Sequence, residues 1–247
     1  MKLAHMTWQE VDALARDVVV VIPTGSLEQH GPHLPLFTDS ILVTAVAEAV
    51  EAAISDNVLL TPTHWLGASA HHLAFAGSLT ASFPTYMGAI DNVVESLAQH
   101  AFKRFYVLNG HGGNEAPNNM VLRELKSKHP NLTFACTGYY TFADAESAET
   151  LTGPTKSIQH ACEAEASLMM HVKPELVRKE QLRDDGLSPQ PTIKGLITHF
   201  DEITEEGSLG YATYASPAKG KRLFDACVAG ATENILNMAN GHVFVGH

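Results

Sequence analysis

The sequence predicts one α/β domain over residues 1–247, with a mostly parallel central sheet and helices on both of its faces. Three observations carry that prediction. Short apolar, β-branched runs alternate with longer stretches of helical periodicity. Polar or glycine-bearing loops follow these runs. No internal repeat, low-complexity tract or linker breaks the order.

Taken in order, Thr7 to Ala15 reads as a short helix, with Thr7 and Glu10 spaced as a capping box. Val18-Val19-Val20-Val21-Ile22 is a buried strand stopped by Pro23. Ile41 to Val50 is an amphipathic helix, and Asp39 just before it has an ordinary reading as its N-cap. Val58–Thr61 is a second strand, ending at Pro62. From Pro84 to Ala101, Met87, Ile90, Val94, Leu97 and Ala101 recur at helical spacing, with Pro84 in the first turn. Phe105–Leu108 is the third strand, Asn114 to about Lys126 a helix, and Leu132–Cys136 the fourth strand. Residues 144–156 read as loop or short helix, and His160–His171 as helix by composition. Ser216-Pro217 opens the last helix, whose buried stripe is Leu223, Ala226, Cys227, Ala231, Ile235 and Met238. Gly186–Gly210 is turn-rich with little core pattern, and reads as a surface excursion, a lid or a subunit contact.

Composition narrows the function. A formal net charge of -11 argues against nucleic acid or an anionic membrane as partner. The three cysteines lack the spacing of a disulfide framework or a cysteine-rich zinc module. Gln9, Glu10 and Asp12 fall where a signal peptide needs its apolar core, and no apolar run is long enough to span a membrane. The expected location is cytoplasmic. The 14 histidines are the unusual feature.

Those histidines concentrate where the chemistry is. Gly25–Ser40 packs Glu28, His30, His33 and Asp39 into one segment directly after the first strand. If the chain stays extended past Pro23, Glu28 and His30 share a strand face. A carboxylate and an imidazole on one face, with a second carboxylate nearby, suit a divalent ion. The alternative is a polar surface loop with two incidental histidines. The third strand runs into Asn109-Gly110-His111-Gly112-Gly113-Asn114, a glycine-rich turn at the strand end where open α/β sheets place ligands. Gly112, Gly113 and Asn114 are therefore candidate substrate contacts, and no Lys-Ser/Thr follows to make the turn a phosphate loop. Glu28, His30, Asp39 and His111 are candidate ligands that strand ends on one sheet edge bring together. Oxygen and imidazole donors without thiolates suit zinc, manganese or iron. Glu163 and Glu165 are two apart on a helix, so at most one faces such a site. The ordinary reading is a helix with two solvated carboxylates.

The G-S-L-E-Q-H-G-P-H-L-P-L-F-T-D and N-G-H-G-G-N motifs, with a later H-A-x-E-x-E-x-S segment, resemble the creatininase (creatinine amidohydrolase) family, in order from about Met6 to Pro174. The resemblance implies a three-layer α/β/α fold, often hexameric, and metal-dependent amidohydrolase activity. It implies Glu28, His30, Asp39 and His111 as ligands, with Asp39 bridging two ions, and Glu165 as a carboxylate of the metal site. It implies His160 as proton shuttle over the substrate and His72 as a substrate-binding position. A hydroxide held between two ions would attack the amide carbon, with His160 or Glu165 passing a proton to the leaving nitrogen.

Two departures bear on the substrate. Where creatininase has an acidic metal ligand two residues after the N-G-H histidine, this chain has Gly113. The tryptophans that close the creatininase pocket are also missing: the only ones here are Trp8 and Trp65, and Tyr139, Tyr140 and Phe142 are the nearest aromatics. Both point away from creatinine and toward another small amide, with a formamide deformylase or small-peptide hydrolase as alternatives. A phosphoesterase would want basic residues, and the two loops contain none. An inactive metal-binding subunit is the reading from another class.

Overall fold

The computed structural model describes residues 1–186 and 192–242. A four-stranded parallel sheet lies at its centre, in the order β2-β1-β3-β4: β1 is Val19–Thr24, β2 Val58–Leu60, β3 Arg104–Asn109 and β4 Thr133–Gly138. Val19 pairs with Val58 on one side and Arg104 on the other. Period-two alternation divides β1 between two cores: Val19 and Val21 face one, Val20 and Ile22 the other. The first core is closed by α2 (Thr38–Ala53), α6 (Glu163–Val172) and α7 (Pro217–Ala239). The second is closed by α3 (Phe83–Ala98) and α4 (Glu115–Lys128). The result is the expected three-layer α/β/α arrangement. Two short helices, α1 (Trp8–Asp12) and α5 (Asp144–Thr150), and a two-stranded ribbon, β5 (Asp184–Asp185) with β6 (Gly210–Tyr211), complete it.

The strand order places the site. The chain moves outward from β1 to β2, then crosses back to β3 on the other side. Order therefore reverses between β1 and β3, and a cleft opens beyond their carboxyl ends. The two motif-bearing loops leave from those two ends.

Several boundaries differ from the expectation. Pro23 does not stop β1: pairing with β2 has already ended at Val21, and the Pro23 carbonyl accepts from His64 N on that side, so no donor is missed. Beyond Thr24 the chain leaves the sheet, so Glu28 and His30 do not share a strand face. Asp39 is not an N-cap; α2 begins at Thr38, and Asp39 lies inside its first turn. The helix expected from His160 begins at Glu163, because Ala161 holds a left-handed backbone, φ 49°. The capping box at Thr7 and Glu10 is present. In the Gly186–Gly210 segment, residues 187–191 lie outside the described residues. No described helix is long and apolar enough to cross a membrane.

Candidate active site

A cavity of about 310 Å³ opens at the reversal point. It brings Glu28, Asp39, His72, His111, His160 and Glu165 together with Gly112 and Gly113. His30 lies behind, fully buried, its Nε2 at 2.9 Å from Asp39 Oδ1. Asn114 does not line the cavity. Its buried amide accepts from Ala68 N and donates to the Gly25 carbonyl, tying the loops together instead of meeting a ligand.

Local bonding explains how each side chain arrives. Asp39 stands in the first turn of α2, and Ser26 donates to its Oδ2 at 2.6 Å. His111 hangs from the end of β3 between Glu28 Oε1 and Asp39 Oδ2, both 3.1 Å from its Nδ1. The bend that carries His160 is held twice at Ala161: its carbonyl accepts from His33 Nε2 at 2.8 Å, and its N–H donates to Glu165. His33 is thus a support of the bend, not a cavity residue.

Gly113 is confined by its neighbours. A Cβ there would collide with the Ala68 carbonyl and His111 Nε2, and would meet His71 Cε1 at 2.8 Å. No acidic side chain fits that backbone. His71 stacks over His111, with ring centroids 5.6 Å apart.

Charge is arranged in an unusual way. Glu28, Asp39 and Glu165 are buried, yet among the described residues no Lys or Arg lines the cavity. Neither Glu28 oxygen has a hydrogen-bond partner. The imidazoles carry the compensation. Burial opposes protonation of His111, but the charges of Glu28 and Asp39 outweigh it and hold its pKa well above the ordinary value. His30 behaves alike: Asp39 overcomes burial and pushes it up to about 9. Asp39 itself is held well below the carboxylate range, since His30 and His111 outweigh its burial. Burial dominates at Glu165 and raises it to about 7. Burial and the neighbouring imidazoles drive His160 well below the ordinary value, and burial takes His72 to about 3.

Ring nitrogens facing away from the cavity show what the inward ones offer. His30 Nδ1 lies 3.1 Å from the Glu28 carbonyl, and His111 Nε2 lies 3.3 Å from the Ala68 carbonyl. Each outward nitrogen therefore carries a hydrogen, and each inward nitrogen, aimed at carboxylate oxygens, is a donor while the ring is protonated and a lone pair once that proton leaves. Lone pairs and carboxylates converging without a donor between them require a proton or a cation, and histidine fixed by a backbone carbonyl is the usual arrangement at a metal. Three groups of donor atoms lie close enough to share an ion: Glu28, Asp39 and His111; His30, His160 and Glu165; and Glu28, His72 and His160.

Glu163 faces away, as the helical spacing requires, but it is not solvated. It is buried, paired with Lys219 at 2.6 Å, and accepts from the N–H groups of Thr152 and Gly153. Of the expected aromatics only Tyr140 reaches the cavity, its hydroxyl donating to Glu115. Tyr139 is buried in the core and Phe142 packs against Gly230. Phe200, from the turn-rich segment, was not anticipated; it stacks on His72 with centroids 4.1 Å apart.

Fold and cluster together define a three-layer α/β protein whose acid–imidazole centre suits a divalent ion. The chain belongs to the creatininase family: the family model described as creatinine amidohydrolase matches residues 4–235. It is similar to a mycofactocin precursor peptide peptidase of Mycobacterium tuberculosis, 31% identical over 222 residues, covering 85% of this chain and 81% of the relative. It is also similar to the creatinine amidohydrolase of Pseudomonas putida, 26% identical over 249 residues, covering 94% and 95%. The solved structure of a manganese creatininase superposes with a TM-score of 0.80 at 26% identity, covering 95% of this chain and 96% of that one.

Proposed function

We propose that this chain hydrolyses the amide C–N bond of a small neutral or cationic molecule, using two divalent ions. The observation that carries the reading is three buried carboxylates facing imidazole ring nitrogens in a cavity that, among the described residues, no Lys or Arg lines. Glu28, Asp39 and His111 would hold one ion. His30, Asp39 and Glu165 would hold the second, and Asp39 offers a different oxygen to each half. Zinc, manganese and iron all accept such donors. Bound divalent ions lower the pKa of water to about 7 and polarise a carbonyl oxygen.

The chain's own residues do the rest. His160 Nε2 donates to the Gln29 carbonyl at 2.8 Å, which leaves its Nδ1 lone pair facing inward to take a proton and pass it to the leaving nitrogen. Backbone groups of Gly112 and Gly113 line the cavity where the substrate binds. Phe200 and Tyr140 cover a site that creatininase closes with tryptophans. That difference, with the likeness to a precursor peptide peptidase, favours a linear amide: a formamide or a short peptide end. The exposed Ile193, Leu196 and Ile197 support a subunit contact in the turn-rich segment, in keeping with a homo-oligomer, by family a hexamer.

The test is amide release from creatinine, a formamide and short peptides, before and after chelation. Turnover of a linear amide that stops with chelator and returns with zinc or manganese supports the reading. Activity indifferent to chelation, or turnover of creatinine alone, refutes it.

A further inference from the structure

The histidines at the cavity are held by different partners, and one of them is held in the opposite sense. His30 and His111 each give their outward hydrogen to a backbone carbonyl. The outward nitrogen of His72, Nδ1, instead faces the side-chain amide of Gln29, 2.8 Å from its Nε2. Which end of that amide is nitrogen is set by two backbone groups that have one role each. Gly31 N–H donates to Gln29 Oε1 at 2.9 Å, and the Gly207 carbonyl accepts from Gln29 Nε2 at 2.8 Å. One amide hydrogen is thereby used. The second has two neighbours, His72 Nδ1 and, at 3.2 Å, His160 Nε2. His160 Nε2 already donates to the Gln29 carbonyl, so it has no lone pair to offer. The second hydrogen goes to His72 Nδ1, which must accept.

We infer that Gln29 locks His72 as the Nε2–H tautomer, making it a hydrogen-bond donor aimed into the cavity at the substrate's carbonyl oxygen, and not a metal ligand or a base. A hydrogen on Nδ1 would point at an amide hydrogen across a buried contact, which disfavours the other tautomer. The donor is unspent: Glu28 Oε1 lies 3.2 Å from His72 Nε2 but makes no hydrogen bond with it. Phe200 fixes the ring plane from one side. Gly207, at φ 92°, lets the turn-rich segment press onto Gln29, where any Cβ would collide with the amide. Gln29 is thus a positioning residue that acts through His72, and the segment around Gly207 completes it. Three of the histidines divide their work accordingly: His111 presents a ring nitrogen to the carboxylates, His160 a lone pair to the leaving group, and His72 a hydrogen to the oxygen. The aim at a carbonyl rests on the amidohydrolase reading above; the tautomer does not.

Neutron diffraction from deuterium-exchanged, zinc-loaded crystals reads the tautomer directly. Deuterium on Nε2 of His72 and none on Nδ1 is expected; deuterium on Nδ1, or zinc bound at Nε2, overturns the inference whatever the enzyme's substrate proves to be. Kinetics on the best linear amide supply the second arm. Gln29→Glu reverses the lock, since a carboxylate accepts from Nδ1–H. It should lower kcat by about 100-fold, as loss of an oxyanion donor does, with KM little changed. His72→Gln retains a donor at the Nε2 position without needing the lock. In that background, Gln29→Glu should cost less than about 3-fold, because the interaction it breaks is already gone. If the same substitution costs the full factor in both backgrounds, Gln29 acts on folding or on the segment and not through His72, and the inference fails.

Discussion

Glu163 and Glu165 stand on the same turn of α6, both buried, and their surroundings differ in one respect: who supplies the positive charge. On the outer side the chain supplies it. Lys219 reaches Glu163 at 2.6 Å, and two backbone N–H groups accompany it. On the inner side Glu165 joins Asp39 and Glu28; among the described residues no Lys or Arg lines the space between them, and the chain offers only the imidazoles of His30 and His111. A buried carboxylate without a cation is costly, and chains that need it only for structure provide the partner. The contrast supports the proposal that the inner side takes the rest of its positive charge from bound ions.

That contrast can be broken most strongly at the shared carboxylate. Asp39→Asn should weaken binding of both ions by at least about 100-fold and reduce amide hydrolysis to background, as titration calorimetry and a rate assay would show. Retention of either ion at full affinity would show that Asp39 serves only α2. His111→Ala should empty the site it shares with Glu28 while thermal unfolding stays cooperative; a fully loaded variant would remove His111 from the ligand set. Glu165→Gln should be severe for activity and lower metal content. Glu163→Gln should leave metal content unchanged and cost about 1–3 kcal/mol of stability, since Lys219 keeps hydrogen bonds to Thr152 and the Tyr214 carbonyl. Equal metal loss in the two variants would erase the distinction between inner and outer acid. The smallest effect is expected from Phe200→Ala, a rise in KM of about 3–10-fold with metal content unchanged.

Much of this centre was legible because its residues are dense in the chain. Glu28, His30 and Asp39 lie within one short segment that runs into the first turn of α2, and His111 sits between glycines at a strand end, so local pattern and strand-end placement brought them together as candidates. The alternation of β1 across two cores likewise follows from an uncharged β-branched run. What was not legible depends on distant partners. Composition extends α6 back to His160, but His33 and Glu165 hold Ala161 in a left-handed turn and swing His160 out of the helix. Pro23 continues β1 because β2 ends early, a fact of register. Gln29 looks like a spacer between two ligands until the Gly207 carbonyl fixes its amide. Phe200 carries no local signal at all: its role exists only once a segment of weak pattern folds over His72.

If the inner carboxylates take up divalent ions, as proposed, the protein's metal content must show it. Elemental analysis of the protein, purified without chelator and dialysed against trace zinc or manganese, tests it most directly. About two ions per chain are expected, both removed by chelator together with amide hydrolysis. A chain that takes up no ion and still turns over its amide would contradict it.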